Sequence, residues 1–422
     1  MKMLKQAEKK TCQRDQRLTA TVMDIIDDVQ ENGDKALIKM AKKFDSIDIN
    51  TVRVSKEDVR KAYTQVSEET VKHIKFAAGQ VRYFAEEQLK CLLPLNITKS
   101  KIDGLELGHR LTPVEKCGCY IPGGRYPMPS AALMSVLVAK VAGVKHVAAC
   151  SPPYAGFGTI HPATLVAMDI AGADEIYCMG GAQAIAAYAY GTDTVGKVDL
   201  IVGPGNKFVT EAKRQVIGDV GIDSLAGPSD VLIIADETAN PTFMAIDLLA
   251  QAEHDPDAKT ILVCTDEELC KKTEAELHRL LKDLPTREVA SISWENNGEI
   301  ILADNIEEAI AISNKIAPEH LEIQVKNERE VAEKPLYYGS MFVGHYAPVA
   351  FGDFVSGTNH TLPTMSTARF SNGVWAGTFI NVTFHQFVSR QGCENMAEAC
   401  MHFAGIEGLS AHRDSVRLRV EG

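Results

Sequence analysis

The chain has 422 residues, of which 45% are hydrophobic and 24% charged, with a formal net charge of −12. That is ordinary for a globular protein of about two to four domains. The acidic balance argues against a nucleic-acid or anionic-membrane partner, since either favours a basic face. The N-terminus is charged and lacks a long apolar run, and no stretch of about 18 uncharged apolar residues occurs, so neither a signal peptide nor a membrane span is expected.

Taken in order, residues 20–45 begin with an amphipathic helix. Val22, Ile25, Ile26 and Val29 recur at helical spacing, and Gly33 separates this helix from a second. A third helix is predicted over 67–90, with Val71, Ile74, Ala77, Val81 and Phe84 on one face. Leu95 to Arg110 reads as a hairpin turning at Asp103-Gly104. From Gly118 onward, apolar strands alternate with helices as far as about residue 316. This pattern predicts a mostly parallel sheet covered on both faces. The units are too many for one compact sheet. The fold class expected is therefore α/β, with two doubly wound, Rossmann-like lobes, a helical N-terminal segment and a helical C-terminal tail. The boundaries expected are a segment 1–20, one lobe from 21–119 with 230–370, a second lobe over 120–229, and a tail over 371–422.

Ten cysteines are scattered along the chain, several inside apolar runs such as those of Cys150 and Cys178. They read as the reduced, buried thiols of a cytoplasmic protein. Cys117 and Cys119 form the only close pair and have no second pair at zinc-site spacing, so a structural role is expected.

Chemistry gathers at a few places. Gln251 and His254 lie in the last turns of a predicted helix, three residues apart and on one face. An imidazole and an amide carbonyl suit half of a zinc site, although a His at a helix end commonly serves only as a cap. Three glycine turns, at Pro122-Gly-Gly124, Gly180-Gly181 and Gly203-Pro-Gly205-Asn206, close strands and open helices. Each can offer free backbone N–H groups to a phosphate, and together they point to a nucleotide. None is the G-x-G-x-x-G fingerprint, and no acid stands out about 20 residues on. Ser229 precedes a strand and reads equally as a turn serine. Pro318 interrupts a helix just before Glu319 and His320, a carboxylate and an imidazole suited to proton transfer if they share a site. Asp353 and His360 sit in a glycine-punctuated loop, the kind of segment that lines sites. Glu407 and His412 lie in the tail.

These residues together resemble the histidinol dehydrogenase family over nearly the whole chain. The segments that carry the resemblance include Tyr120-Ile-Pro-Gly-Gly, Gly180-Gly-Ala-Gln-Ala-Ile-Ala-Ala, Val202-Gly-Pro-Gly-Asn, Ala226-Gly-Pro-Ser, Asp247-Leu-Leu-Ala-Gln-Ala-Glu-His, Ala317-Pro-Glu-His-Leu and Gly357-Thr-Asn-His-Thr-Leu-Pro-Thr. The resemblance implies a zinc- and NAD-dependent enzyme that oxidises a primary alcohol to a carboxylate in two hydride transfers. It further implies that Gln251, His254, Asp353 and His412 hold zinc, and that Glu319 and His320 are the acid–base pair. Tyr120, Gln183 and Asn206 would contact NAD. Ser229, His360 and Glu407 would contact substrate, as would His320 and the zinc ligands. Glu407 and His412 would act across a homodimer. The intact set argues against an inactive binding paralogue. Some residues depart from the biosynthetic pattern: Ala85 and Glu86 follow Phe84 where a His is usual, and Val138 replaces a proline. The run Gly118 to Met128, with Arg125, looks more like a paralogue branch that includes sulfopropanediol dehydrogenase. There Arg125 would meet the sulfonate of 2,3-dihydroxypropane-1-sulfonate.

Overall fold

The computed structural model describes residues 1–8, 15–124 and 126–422. Arg125 lies outside the described residues. Two parallel sheets dominate, and both follow the same winding.

The first sheet joins β4 (Lys116–Tyr120), β5 (His146–Ser151), β6 (Glu175–Cys178), β7 (Leu200–Val202) and β8 (Gly221–Ile222) in the order β6-β5-β4-β7-β8. Counted within the lobe this is 3-2-1-4-5, the doubly wound order whose reversal between β4 and β7 opens a crevice at the carboxyl ends. The second sheet holds β9 (Asp230–Ala235), β10 (Lys259–Cys264), β11 (Gly298–Leu302), β12 (His320–Gln324) and β13 (Ser340–Val343). Its order, β11-β10-β9-β12-β13, repeats 3-2-1-4-5. One antiparallel strand, β1 (Lys2–Lys5), adds to its edge beside β11.

Strand alternation separates two cores in each lobe. Cys117, Cys119, Val147 and Ala149 face helices Lys56–Thr64, Glu68–Lys90 and Pro162–Ala171, whereas Tyr120, Ala148, Cys150 and Ile201 face helices Gln16–Asn32, Asp34–Phe44, Gly181–Tyr190 and Lys207–Val216. In the second lobe, Val231 and Ile233 pack under Pro241–Ala252 and Glu267–Leu281, and Leu232 and Ile234 under Ile306–Ile316. Cys117 and Cys119 are fully buried, with their sulfurs 3.9 Å apart, and all nine described cysteines are free. No helix among the described residues is long and apolar enough to cross a membrane.

One sequence expectation is corrected. Residues 21–119 do not join 230–370: their helices coat the first sheet, whose β4 starts at Lys116. Helical spacing gives an amphipathic helix its apolar face but does not name the sheet that covers it. The N-terminal segment is helical from Gln16, as expected, with the short strand Lys2–Lys5 ahead of it. The tail ends in helices, as expected, and these are preceded by a nine-residue strand, β14 (Ile380–Val388). It pairs along its whole length with β3 (Leu105–Pro113), which pairs in turn with β2 (Leu95–Ile97), the predicted hairpin. Helices Arg390–Ile406 and Ser410–Glu421 follow.

Candidate active site

The reactive residues of the second lobe meet at the amino ends of its central strands. Asp230 opens β9 and His320 opens β12, and the two strands are neighbours. Helix Ile306–Ile316 stops at Ala317, which takes a left-handed φ of 52°, and Pro318 then directs the chain into β12. Glu319 and His320 are thereby delivered together against Asp230. The Asp230 N–H donates to Glu319 Oε2 at 3.0 Å, and the Glu319 N–H donates to Asp230 Oδ1 at 2.8 Å. Ser229 also bonds the Glu319 carboxyl group. Burial, with Asp230 close by, pushes the Glu319 carboxyl well above the usual range.

His320 Nδ1 lies 3.0 Å from the Asp230 carbonyl oxygen. A carbonyl only accepts, so Nδ1 carries the hydrogen and Nε2 keeps a lone pair. Nε2 is buried without a hydrogen-bond partner and stands 3.8 Å from Asp353 Oδ1. Burial holds this imidazole down at about 4, which keeps it neutral and able to take a proton. His360 repeats the arrangement: its Nδ1 donates to the Asp353 carbonyl at 2.9 Å, its Nε2 is unpartnered, and burial lowers it to about 4. His254 is close enough to disfavour charge on both rings. Burial also raises Asp353 to about 7.

Helix Pro241–Ala252 supplies Gln251, whose Nε2 is buried and unpartnered. The His254 N–H follows the last turn at 3.3 Å from the Gln251 carbonyl, so His254 lies just past the helix rather than within it. The His254 ring is open to solvent by area, yet enough protein surrounds it for desolvation to lower its pKa. His254 and Asp353 thus stand near His320 and His360, Glu319 and Ser229 lie beside them, and Gln251 precedes His254 by one turn. Among the described residues no three His, Cys, Asp or Glu side chains form a group able to hold a metal. The cleft offers an amide, an imidazole and a carboxylate, which suits a borderline metal but leaves the set short of a fourth protein ligand. Glu407 and His412 are exposed on the tail, and within one chain nothing among the described residues brings them to this cleft.

Asp230 is the residue that sequence reasoning missed. An acid opening the otherwise apolar run Asp-Val-Leu-Ile-Ile-Ala was the available signal.

The other candidates lie in the first lobe, at the carboxyl ends flanking its strand reversal. Tyr120 ends β4, and its hydroxyl accepts from the Gly181 N–H at 3.2 Å. Gly180 caps helix Gly181–Tyr190 without any side-chain hydrogen bond, leaving backbone donors at that end. Gln183 is buried and folds back against Gly181. The Asn206 side chain caps its helix by accepting from Phe208 and Val209 N–H groups. Gly203 has φ +123°, and a Cβ there would collide with the Tyr120 carbonyl oxygen. The uncapped start of helix Gly181–Tyr190 and the side-chain-free turn at Gly203 fit a phosphate-bearing cofactor.

The fold is that of an oxidoreductase family. The sequence model described as "Histidinol dehydrogenase" matches residues 8–420. The chain is 44% identical over 406 residues to histidinol dehydrogenase of Methanocaldococcus jannaschii, covering 96% of this chain and 93% of that protein. It is 42% identical to a histidinol dehydrogenase homolog of Shouchella clausii, covering 96% and 95%. The crystal structure of histidinol dehydrogenase from Elizabethkingia anophelis superposes with a TM-score of 0.92 at 38% identity, covering 98% and 94%. The chain belongs to the histidinol dehydrogenase family.

Proposed function

We propose that this protein is a zinc- and NAD-dependent dehydrogenase that oxidises histidinol through a bound aldehyde to histidine. The observation that carries the reading is Glu319 beside neutral His320, whose Nε2 is unpartnered and stands 3.8 Å from Asp353 with His254 nearby. Gln251, His254 and Asp353 would hold zinc, with His412 of a second subunit as fourth ligand. Zinc bound there would orient the alcohol and act as a Lewis acid.

His320 Nε2 would take the hydroxyl proton, with bound NAD supplying the hydride acceptor. Glu319, a stronger base than an exposed carboxylate, then takes a proton from the water that adds to the aldehyde. His320 would return its first proton to the carbonyl oxygen as water adds and, neutral again, would take a hydroxyl proton of the hydrate when bound NAD accepts the second hydride. Overall one alcohol, one water and two NAD⁺ give one carboxylate, two NADH and three protons. Ser229, His360 and Glu407 would contact the substrate, and Tyr120, Gln183 and Asn206 the cofactor. A homodimer is part of the proposal. It is supported by the apolar side chains that the tail module leaves exposed, Phe384 at 84%, Ile406 at 70% and Phe403 at 66%. The free thiols fit a cytoplasmic protein.

The test is NADH formation by zinc-loaded protein, with histidinol and 2,3-dihydroxypropane-1-sulfonate in parallel. About two NADH per histidinol is expected from the reaction as balanced above. Turnover of the sulfonate alone would replace the substrate, and would favour the second reading suggested by Arg125-Tyr-Pro-Met. Zinc binding without turnover of either would overturn the histidinol assignment.

A further inference from the structure

β12 carries a second polar feature that the reaction does not use. His320, Glu322 and Gln324 alternate with Leu321 and Ile323, so all three point to one face of the sheet. That face is interior: Glu322 is 1% exposed and Gln324 3%. Gln324 Nε2 donates to Glu322 Oε2 at 2.7 Å and reaches Asp247 Oδ2 at 3.4 Å. The Val349 N–H also donates to the Glu322 carboxyl, and the Asp247 carboxyl is hydrogen-bonded to it. Glu322 Oε1 has no hydrogen-bond partner among the described groups, and two buried carboxyl groups this near favour sharing one proton. Burial pushes both carboxyl groups up, which favours that proton.

The three elements joined here are those that carry the cleft. Asp247 lies one turn before Gln251 on helix Pro241–Ala252, Val349 begins helix Val349–Phe354, which carries Asp353, and Glu322 follows His320 on β12. We propose that Glu322 and Asp247 are positioning residues: a buried acid pair, bridged by Gln324, that braces the two helices against β12, so that Gln251, His254 and Asp353 face His320. The inference rests on the reaction proposed above. Gln324 Oε1 is also buried without a partner, so the brace rests on the bonds that Gln324 Nε2 makes to Glu322 and Asp247, which a low-dielectric core strengthens.

Zinc retention against a competing chelator, kcat, and KM for NAD are measured on wild type, Glu322→Gln and Glu322→Leu. Glutamine can still accept from Gln324 and Val349 and donate to Asp247, and is expected to stay within about threefold of wild type. Leucine is expected to lower zinc affinity and kcat by about tenfold or more, the size seen when groups supporting metal ligands are removed. KM for NAD, set in the other lobe, should move by no more than about twofold. If Glu322→Leu does not fold, Asp247→Ala takes its place with the same expectations. A folded Leu variant with normal zinc affinity and kcat, or a Gln variant as impaired as the Leu one, overturns the brace. If wild type neither keeps zinc nor reduces NAD, it is the reaction that fails. The brace is then read from urea unfolding of Glu322→Leu, Asp247→Ala and their combination, where strictly additive effects would overturn it.

Discussion

The two lobes share one strand order and use opposite ends of it. In the first, the glycine turns and Tyr120, Gln183 and Asn206 sit at the carboxyl ends, beside the reversal between β4 and β7. In the second, Asp230, Glu319 and His320 sit at the amino ends of β9 and β12. Its carboxyl-end crevice is lined instead by Asp236, Glu237, Asp304, Glu307 and Glu330, against Lys326 and Lys334. Lys334 is already paired with Glu307 and Glu330. A pyrophosphate entering there would meet mostly carboxylates. Winding order therefore creates a crevice in each lobe, and the residues at its rim decide whether an anion can use it. Damage to either lobe should accordingly give a different kinetic signature.

The largest effect is expected at the amino end of the second lobe. His320→Ala removes the lone pair that stands 3.8 Å from Asp353, and should lower kcat by about 10²–10⁴-fold. Zinc content and KM for NAD should stay near wild type, since His320 is not among the proposed ligands and lies outside the cofactor lobe. Loss of zinc along with activity would show that His320 holds the metal rather than moving the proton.

The matching break in the first lobe is at Lys213. Lys213 Nζ donates to the Gly203 carbonyl at 3.0 Å and is ion-paired with Asp223, which accepts from the Gly203 N–H at 2.7 Å. Both side chains are 3% exposed, so the pair holds the glycine turn by its two peptide groups in a water-free setting. Lys213→Met strands the Asp223 charge and should cost about 3–5 kcal/mol of stability, read by denaturant unfolding. In folded protein the activity loss should appear chiefly as a higher KM for NAD, with zinc retained. A variant as stable as wild type, or one whose defect lies only in kcat, would remove the turn from the cofactor site.

Those two residues also show what the sequence could and could not tell. Helical spacing marks Val22, Ile25, Ile26 and Val29 as a buried face, and they are buried. The alternation of apolar strands with helices predicts the α/β class and the two lobes. Neither pattern could assign the N-terminal helices to a sheet, because that choice is made by contacts distant in sequence. The run His-Leu-Glu-Ile-Gln read naively is a half-exposed strand, polar outward, yet every residue in it is buried. Burial of His320, Glu322 and Gln324 depends on two helices far from β12 in the chain. β14 carries β-branched and aromatic residues throughout but escapes a sequence reading, since its side chains stay largely exposed in one chain and give no sided pattern. The grouping of Gln251, His254, Asp353 and His360 around His320 was available only through family resemblance, for no spacing rule links such distant positions. Asp230 and Asp247 are both legible as acids in the sequence, but an acid's role as an anchor becomes visible only with its partners.

The smallest effect expected is a pH dependence in the first lobe, away from both sites. Arg214 forms two hydrogen bonds to Glu211, and Gln215 adds another while also donating to the Thr19 carbonyl, tying helix Lys207–Val216 to helix Gln16–Asn32. The Arg214 guanidinium holds the Glu211 carboxyl down at about 2. An unfolded glutamate titrates near about 4.3, so the folded state binds this proton less readily than the unfolded one. The stabilisation is then fully present above the unfolded value and is lost as pH falls from about 4.5 toward 2. Because Glu211 is largely buried while Arg214 is one-third exposed, solvent screening limits the contribution to roughly 1–2 kcal/mol. Glu211→Gln should lower stability at pH 7 by that amount, and the gap from wild type should narrow steadily as the pH is lowered. A gap that stays constant down to about pH 3 would mean that the loss comes from the altered shape of the Thr19 contact and not from the charge, leaving the link between the two helices to Gln215 alone.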